Sequence, residues 1–444
     1  MRNLLLVAIL AVLAPVAIAM PHVGVLVWTW LSFMNPHREA YGFAKDLSLN
    51  YWFAIFTFVG WIFSRERKIA PHGPTTFVLL AFLGWTCLTT LNALDPQTAV
   101  PLWERTLKSF VLVFVTMTIM NTKTRIQAML WVIAVSIGYY AVKGAGFTLI
   151  TGGGARIYGP EDSMIEDNNA LGLALVLILP LLSYLRASSN RRIVTLGVSA
   201  VLLATVITVL GTYSRGGLIA LIVVAALIWF RSRGRLITAF AVAGLIFVVP
   251  YIVPSQWYAR MSTIGAYSSD ASFQGRTQAW QASVNMALDR PFGGGFHAIE
   301  NTSVFARYSG SVQEQARAAH SIYFEVLGDH GFIGLFLYAL IVVICFVNLH
   351  RAITIAKRHE ELRWAADLGG MMQISVIGFL IGGSLLSMAY YDLFLVIVGL
   401  SANLLRLVRS VEFEALGGLE KPTGARPSTV RLPSVPNRAL ARYR

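Results

Sequence analysis

Apolar residues fall into long blocks along the chain, and short polar segments separate these blocks. Each block is near the length of about 20 residues that an α-helix needs to cross a bilayer. The blocks lie at 4–20, 48–64, 75–92, 103–120, 126–150, 168–186, 192–211, 214–231, 236–253, 331–349, 371–388 and 390–408. Because lipid satisfies no backbone polar group, each block must bond its own backbone as a helix. The pattern predicts an all-α, polytopic integral membrane protein with about 12 transmembrane helices.

The first block has the features of a secretory signal peptide. Arg2 precedes an apolar run, and an Ala-Ile-Ala sequence follows at 17–19. We expect this block to be retained as an uncleaved first span. Pro15 and Pro21 interrupt the apolar run, which continues to residue 34, so the segment can hold one span or two.

Basic and non-basic loops alternate between the blocks, and this alternation predicts the orientation of the chain. Lys and Arg are concentrated in the segments at 65–68, 123–125, 186–192, 231–235 and 350–363. Since basic loops stay in the cytoplasm, we expect both termini there. The longest polar segment, which ends at His320, is then outside, in the periplasm of a Gram-negative cell.

These patterns divide the chain into five predicted regions. They are N-terminal transmembrane helices at 1–150, central transmembrane helices with outer-face arginine loops at 151–253, a helical periplasmic loop domain at 254–330, C-terminal transmembrane helices at 331–410 and a disordered basic cytoplasmic tail at 411–444. The tail is rich in Pro, Ser and Arg and has no periodicity, so we expect it to rest on anionic lipid.

Composition agrees with a membrane protein. Of the 444 residues, 56% are hydrophobic and 13% are charged, whereas a soluble domain carries about 25% charged residues. The net charge of +14 resides in the loops that orient the spans, so it does not indicate nucleic-acid binding. Cys87 and Cys345 lie in apolar blocks and predict neither a disulfide framework nor a zinc site.

Arginines and a histidine occur at the predicted outer boundary of the membrane. Arg215 lies in a glycine-rich turn at 211–217, and Arg276 lies in the long outer segment, before a predicted helix at 278–288. His320 lies where that segment returns to the membrane. Arginine matches phosphate oxygens with a planar fork of donors, and histidine takes up a proton near neutral pH. These residue types suit transfer from a phosphate-activated, lipid-held donor, with histidine deprotonating the attacking hydroxyl.

Each candidate also has a simpler interpretation. His320 opens a helical pattern in which Tyr323 and Leu327 recur on one face, so it can be a capping or interfacial histidine. Arg215 can be a snorkelling arginine. The loop at 151–169 has four carboxylates, which could attract a hard cation, but their spacing matches no known metal loop. We therefore interpret it as a solvated loop and predict no metal site.

Four short motifs succeed one another between residues 150 and 345. They are Thr212-Tyr213-Ser214-Arg215-Gly216-Gly217, Gly275-Arg276 followed by Trp280, Arg290-Pro291-Phe292-Gly293-Gly294-Gly295-Phe296, and His320-Ser321-Ile322-Tyr323 continuing through Leu327 to Gly331 and Gly334. In order and spacing they resemble the O-antigen ligase and O-antigen polymerase superfamily, and most closely its ligase branch, which includes O-glycosylation ligases associated with exosortase systems. Arg156 and Asn169 also fall where this family carries an arginine and an asparagine. Ser321 replaces the asparagine that often follows the family's histidine.

The resemblance implies a membrane glycosyltransferase of the C type that inverts the anomeric carbon and uses no metal ion or cofactor. Its donor would be a glycan on undecaprenyl pyrophosphate, and its acceptor would be the lipid A–core oligosaccharide. The enzyme would lie in the bacterial inner membrane, with its active site facing the periplasm and the donor's tail along the apolar helices. His320 would be the general base. The substrate-binding residues would be Arg215, Arg276, Arg156, Tyr323 and Asn169.

Three other functions remain open at this point. A polysaccharide polymerase and a protein O-oligosaccharyltransferase would share the chemistry and differ in the acceptor. A lipid-linked glycan transporter is a more distant alternative, because transporters usually show two related halves and ionisable residues near the midplane. The chain shows no internal repeat, and its polar residues are concentrated on one face of the membrane.

Overall fold

The computed structural model describes residues 2–40, 42–66, 71–231, 257, 271–310 and 316–415. Within these residues it contains α-helices and short 3-10 turns but no strand, which confirms the all-α prediction. The α-helices are α1 (Arg2–Ala19), α2 (Pro21–Met34), α3 (Leu49–Phe63), α4 (Pro74–Leu91), α5 (Pro96–Ile119), α6 (Lys123–Ile150), α7 (Asn168–Ser188), α8 (Arg192–Gly211), α9 (Arg215–Arg231), α10 (Ala271–Asp289), α11 (Thr302–Ser309), α12 (Ile322–Ala356), α13 (Arg363–Gly383) and α14 (Asp392–Ala415).

Eight of these helices are long and apolar enough to cross a membrane: α1, α4, α6, α7, α8, α12, α13 and α14. The chain is thus a multi-pass membrane protein, although the sequence pattern predicted about 12 spans. Three predicted spans are helices outside this set, because α3 has 15 residues, α9 has 17, and α5 carries the charged residues Glu104, Arg105 and Lys108. The predicted span at 236–253 lies outside the described residues, as does most of the predicted tail.

The first apolar run forms two helices rather than one. Pro21 is the first residue of α2, where the missing backbone N–H of proline would have had no partner in any case. α1 continues through Pro15 and packs against α2 and α3. The break at the second proline therefore gives two helices, of which only α1 is among the candidate spans.

α7 and α13 form the antiparallel centre of the bundle. The hydroxyl of Ser375 donates to the carbonyl oxygen of Leu177 at 2.8 Å. Towards the end of α13, a side chain at Gly382 would meet Leu173 within 2.6 Å. Residues later in α13 therefore contact residues earlier in α7, so the two helices are antiparallel. The beginning of α7, at Asn168, and the end of α13 lie at the same end of the bundle.

α12 changes direction at Gly331, whose backbone has φ 66° and ψ −169°. A positive φ strongly favours glycine. The kink interrupts the backbone hydrogen bonds of the helix. N–H groups of the glycine-rich turn after α10 bond to the carbonyl groups that this leaves free. Gly294 N–H donates to the Gly328 carbonyl at 2.8 Å, and Gly295 N–H donates to the Asp329 carbonyl at 2.9 Å. The turn after α10 is thereby fixed against α12.

Candidate active site

His320 lies immediately before α12 rather than inside it. Ser321 is the N-cap of the helix, so the expectation that His320 opens the helical pattern is wrong. His320 has a left-handed backbone with φ 45°, which is uncommon for a residue other than glycine. Its backbone N–H donates to Ser387 Oγ at 2.9 Å, in the segment that follows α13. The connection fixes the histidine at the shared end of α7, α12 and α13.

Charged neighbours of both signs surround the imidazole of His320. Burial lowers its pKa below the ordinary value of 6.5, and the charge of Arg276 lowers it further. The charges of Asp167 and Glu300 act in the opposite direction. Arg276, Asp167 and Glu300 therefore lie close enough to influence His320. A lowered pKa keeps the imidazole neutral at neutral pH, which is the form that accepts a proton.

Arg276 lies within α10, which begins earlier than the predicted helix at 278–288. One turn further along, Trp280 connects α10 to the segment before His320. Its indole N–H donates to the Ala319 carbonyl at 2.7 Å, and its ring stacks on Phe324 with centroids 4.9 Å apart. These contacts explain why the charge of Arg276 reaches the histidine.

Arg215 is the first residue of α9, and the glycines after it allow close helix packing. A side chain at Gly216 would meet Leu385 Cβ within 3.3 Å, just beyond the end of α13. A side chain at Gly217 would lie 3.7 Å from the Cα of Gly172 in α7. The beginning of α9 is therefore pressed against both central helices.

The end of α13 connects the two parts of the site. On one side it contacts the turn that carries Arg215. On the other side a Cβ at Gly383 would lie 2.9 Å from Ile322 Cδ1, at the beginning of α12. Ser387, a few residues later, accepts the hydrogen bond from His320. Arg215 and His320 thus flank the same end of one helix.

Arg156 is exposed and lies at the turn that precedes Arg215. Its guanidinium is 6.0 Å from the ring centroid of Tyr213, within the range of a cation–π interaction. The Tyr213 hydroxyl donates to the Gly153 carbonyl at 2.5 Å and fixes the ring beneath the arginine. Arg156 therefore lies against the turn that leads into Arg215.

The other two predicted residues, Asn169 and Tyr323, each donate a side-chain hydrogen bond to another group of the protein. The Asn169 amide donates to Asp167 Oδ1 at 2.9 Å, and the Tyr323 hydroxyl donates to the Leu380 carbonyl at 3.0 Å. The buried Asn168, which the sequence analysis did not select, donates to the carbonyl of Thr212 at 2.7 Å and ties α7 to the Arg215 turn.

Near His320 lies a second group of ionisable residues that the sequence analysis missed, and its two carboxylates on α12, Glu325 and Asp329, are buried. His297 Nδ1 is 3.3 Å from Glu300 Oε1, and His297 Nε2 is 3.7 Å from Glu325 Oε1. Burial opposes a charge on His297, but the contacts with Glu300 and Glu325 and the charge of Asp329 raise its pKa well above 6.5. These contacts therefore favour the charged form of His297.

The two carboxylates on α12 also hold the segment after α13. Glu325 Oε2 accepts from the Ala389 N–H at 2.9 Å, and Asp329 Oδ2 accepts from the Tyr390 hydroxyl at 2.9 Å. Acidic residues four apart at the start of an apolar helix are costly unless they are bonded, so their spacing was an available signal. Their contacts hold the same segment that supplies Ser387 to His320.

The acidic loop before α7 is held by ion pairs. Asp162 pairs with Arg38 at 2.8 Å, and Glu161 pairs with Lys45 at 3.2 Å. Glu166 accepts a hydrogen bond from the Asp162 N–H at 2.9 Å. These contacts join the loop to the segment after α2, in agreement with a structural role.

Family comparisons divide the chain into two parts. Residues 1–190 match a family of unknown function, and residues 198–339 match a family described as O-antigen ligase. The second match contains Arg215, Arg276 and His320. No curated protein matches the chain significantly.

Proposed function

We propose that the chain, whose residues 198–339 match a family described as O-antigen ligase, is a lipid-linked oligosaccharide ligase. The match agrees with the superfamily that its motifs resemble. It transfers a glycan from undecaprenyl pyrophosphate to the lipid A–core oligosaccharide at the periplasmic face of the inner membrane. The observation that carries this proposal is the position of His320 at the shared end of α7, α12 and α13. Its backbone N–H donates to Ser387 Oγ at 2.9 Å, and Arg276 lies near enough to lower its pKa.

In the proposed reaction His320 is the general base. Its neutral imidazole accepts the proton of the acceptor hydroxyl as the hydroxyl oxygen bonds to the anomeric carbon. On the opposite face of the sugar, the bond between the anomeric carbon and the diphosphate oxygen breaks, so the configuration inverts. The proton remains on His320, and the electron pair leaves with the diphosphate.

The arginines stabilise the charge that develops on the leaving group. Guanidinium groups bind phosphate oxygens through charge-assisted, often bidentate, hydrogen bonds. Arg215 and Arg276 are the principal ligands in this proposal, and Arg156 approaches from the turn beside Arg215. Fixed donors aimed at developing charge typically supply the largest part of such a rate enhancement. The reaction we propose needs no metal ion.

Replacement of His320 tests the proposal. We expect His320→Ala to lower transfer of the lipid-linked glycan to lipid A–core by about 100- to 10,000-fold, the usual contribution of a general base. Purified protein in nanodiscs allows rate and thermal stability to be measured on the same sample. His350→Ala, at an exposed position far along α12, is the matched control and should retain full activity.

Full activity of a folded His320→Ala variant would contradict the general-base role. The choice of acceptor tests the rest of the proposal in the same assay. Transfer only to a second lipid-linked glycan would identify a polymerase, and transfer only to protein would identify a protein O-oligosaccharyltransferase.

A further inference from the structure

Arg317 lies three residues before His320, in the segment that leads into α12, and its side chain crosses α10. A Cβ at Gly275 would lie 2.2 Å from Arg317 Nη1 and 2.7 Å from Arg317 Cδ. The guanidinium therefore occupies the space that a side chain at Gly275 would need. Glycine is otherwise unfavourable inside a helix, so this packing gives it a reason to be there. The next residue of the helix is Arg276.

Arg317 is half-buried, and no ion pair or hydrogen bond joins its guanidinium to any other residue that the structure describes. Arg307, an exposed arginine on α11, differs, because it pairs with Asp289 at 3.5 Å. Glu300, whose charge acts on His320, pairs with His297. A guanidinium that is partly shielded from water and lacks a described carboxylate partner is well suited to bind an anion.

We propose that Arg317 is a further substrate-binding residue, which binds the diphosphate of the lipid-linked donor together with Arg276. This inference rests on the proposed function. The two arginines come from different segments but meet at successive positions of α10. A diphosphate offers oxygens on two phosphorus atoms, so it can accept hydrogen bonds from two planar guanidinium groups at once.

Binding of a short donor analogue tests this inference without requiring transfer. The full chain in nanodiscs is titrated with geranylgeranyl diphosphate, and the dissociation constant is measured for each variant. We expect Arg317→Gln to weaken binding by about 10- to 100-fold, as is typical when a hydrogen bond to a charged group is lost. Arg307→Gln removes the same charge from an exposed, paired position and should leave binding unchanged.

Gly275→Ala provides a second variant that keeps every charge. The added methyl group displaces the guanidinium of Arg317, so binding should weaken in the same direction as in Arg317→Gln. Thermal stability should not fall, because alanine is the better helix former and the displaced side chain is flexible. In the Arg317→Gln background, Gly275→Ala should have no further effect on binding, since the group it displaces is already gone.

The outcomes separate this inference from the proposed function. If wild-type protein binds the probe and Arg215→Gln weakens binding while Arg317→Gln does not, Arg317 has no role and the proposed function stands. If wild-type protein does not bind the probe, both fail. If Arg317→Gln instead raises KM only for a phosphorylated acceptor, the assignment to the donor is overturned.

Discussion

The pKa of the His320 imidazole depends on neighbouring charges, some of which lower it and some of which raise it. Burial and the charge of Arg276 favour neutral His320, whereas the charges of Asp167 and Glu300 favour the imidazolium. A general base must be neutral to act. Because the pKa is lowered, the base stays neutral at pH values somewhat below 6.5, and activity falls only when the pH drops through the lowered pKa.

This balance predicts opposite pH shifts for two variants. Removing the positive charge in Arg276→Gln stabilises the imidazolium, so the acid limb of kcat/KM should move to higher pH. Removing the negative charge in Asp167→Asn destabilises the imidazolium, so the limb should move to lower pH. The measurement is kcat/KM against pH, which reports the free enzyme.

The two substitutions have suitable controls. Asp167 caps α7 by accepting from the backbone N–H groups of Asn169 and Ala170, and asparagine caps helices equally well. Asp289→Asn changes an exposed carboxylate that faces Arg307, and it should leave the acid limb in place. Shifts of the same sign in both test variants would mean that His320 is not the group that titrates.

The kink of α12 helps to position the site, because the turn after α10 is hydrogen-bonded to it. Gly331 has a positive φ, and a Cβ there would lie 2.3 Å from the Pro291 carbonyl oxygen. The indole N–H of Trp85 also donates to the freed His330 carbonyl at 2.8 Å. The loop that carries His297 is therefore fixed to the same helix that follows His320.

Gly331→Ala should destabilise the protein. At φ 66° and ψ −169° a residue with a Cβ costs about 1–3 kcal/mol, and the contact with Pro291 adds to that cost. We expect a lower midpoint of thermal unfolding in detergent than for the wild type. Gly197→Ala in α8 is the control, because its added methyl group would meet no atom of another described segment within 4 Å and alanine favours the helix. Equal midpoints for the two variants would contradict a strained kink.

The sequence predicts the long apolar helices better than it predicts the contacts between distant segments. The block at 192–211 coincides with α8, and the block at 126–150 differs from α6 only at its beginning, because lipid requires long apolar helices. The motifs also selected His320 and two arginines as candidates, and their roles stay a prediction. The contacts of His297 with Glu325 and Asp329 could not be predicted, because they depend on how a kinked helix meets a distant loop.

On the scale of the whole molecule, the candidate site lies at one end of the bundle. Because α7 and α13 are antiparallel, the beginning of α7 and the end of α13 lie there together. The beginnings of α9 and α12 contact them at the same place. The basic loops at 186–192 and 350–363 connect to the opposite ends of α7 and of α12 and α13. If basic loops remain in the cytoplasm, the site faces outward, which is where a periplasmic acceptor would reach it.

Cysteine labelling tests this orientation directly. In a background with Cys87→Ser and Cys345→Ala, single cysteines are introduced as Ala306→Cys on α11 and Asn190→Cys in a basic loop, both at exposed positions. A charged maleimide does not cross the membrane, so intact spheroplasts should be labelled at position 306 and not at 190. Both positions should react after permeabilisation, and the cysteine-free background should remain unlabelled. Labelling of position 190 alone in intact cells would place His320 in the cytoplasm, where it could not act on a periplasmic acceptor.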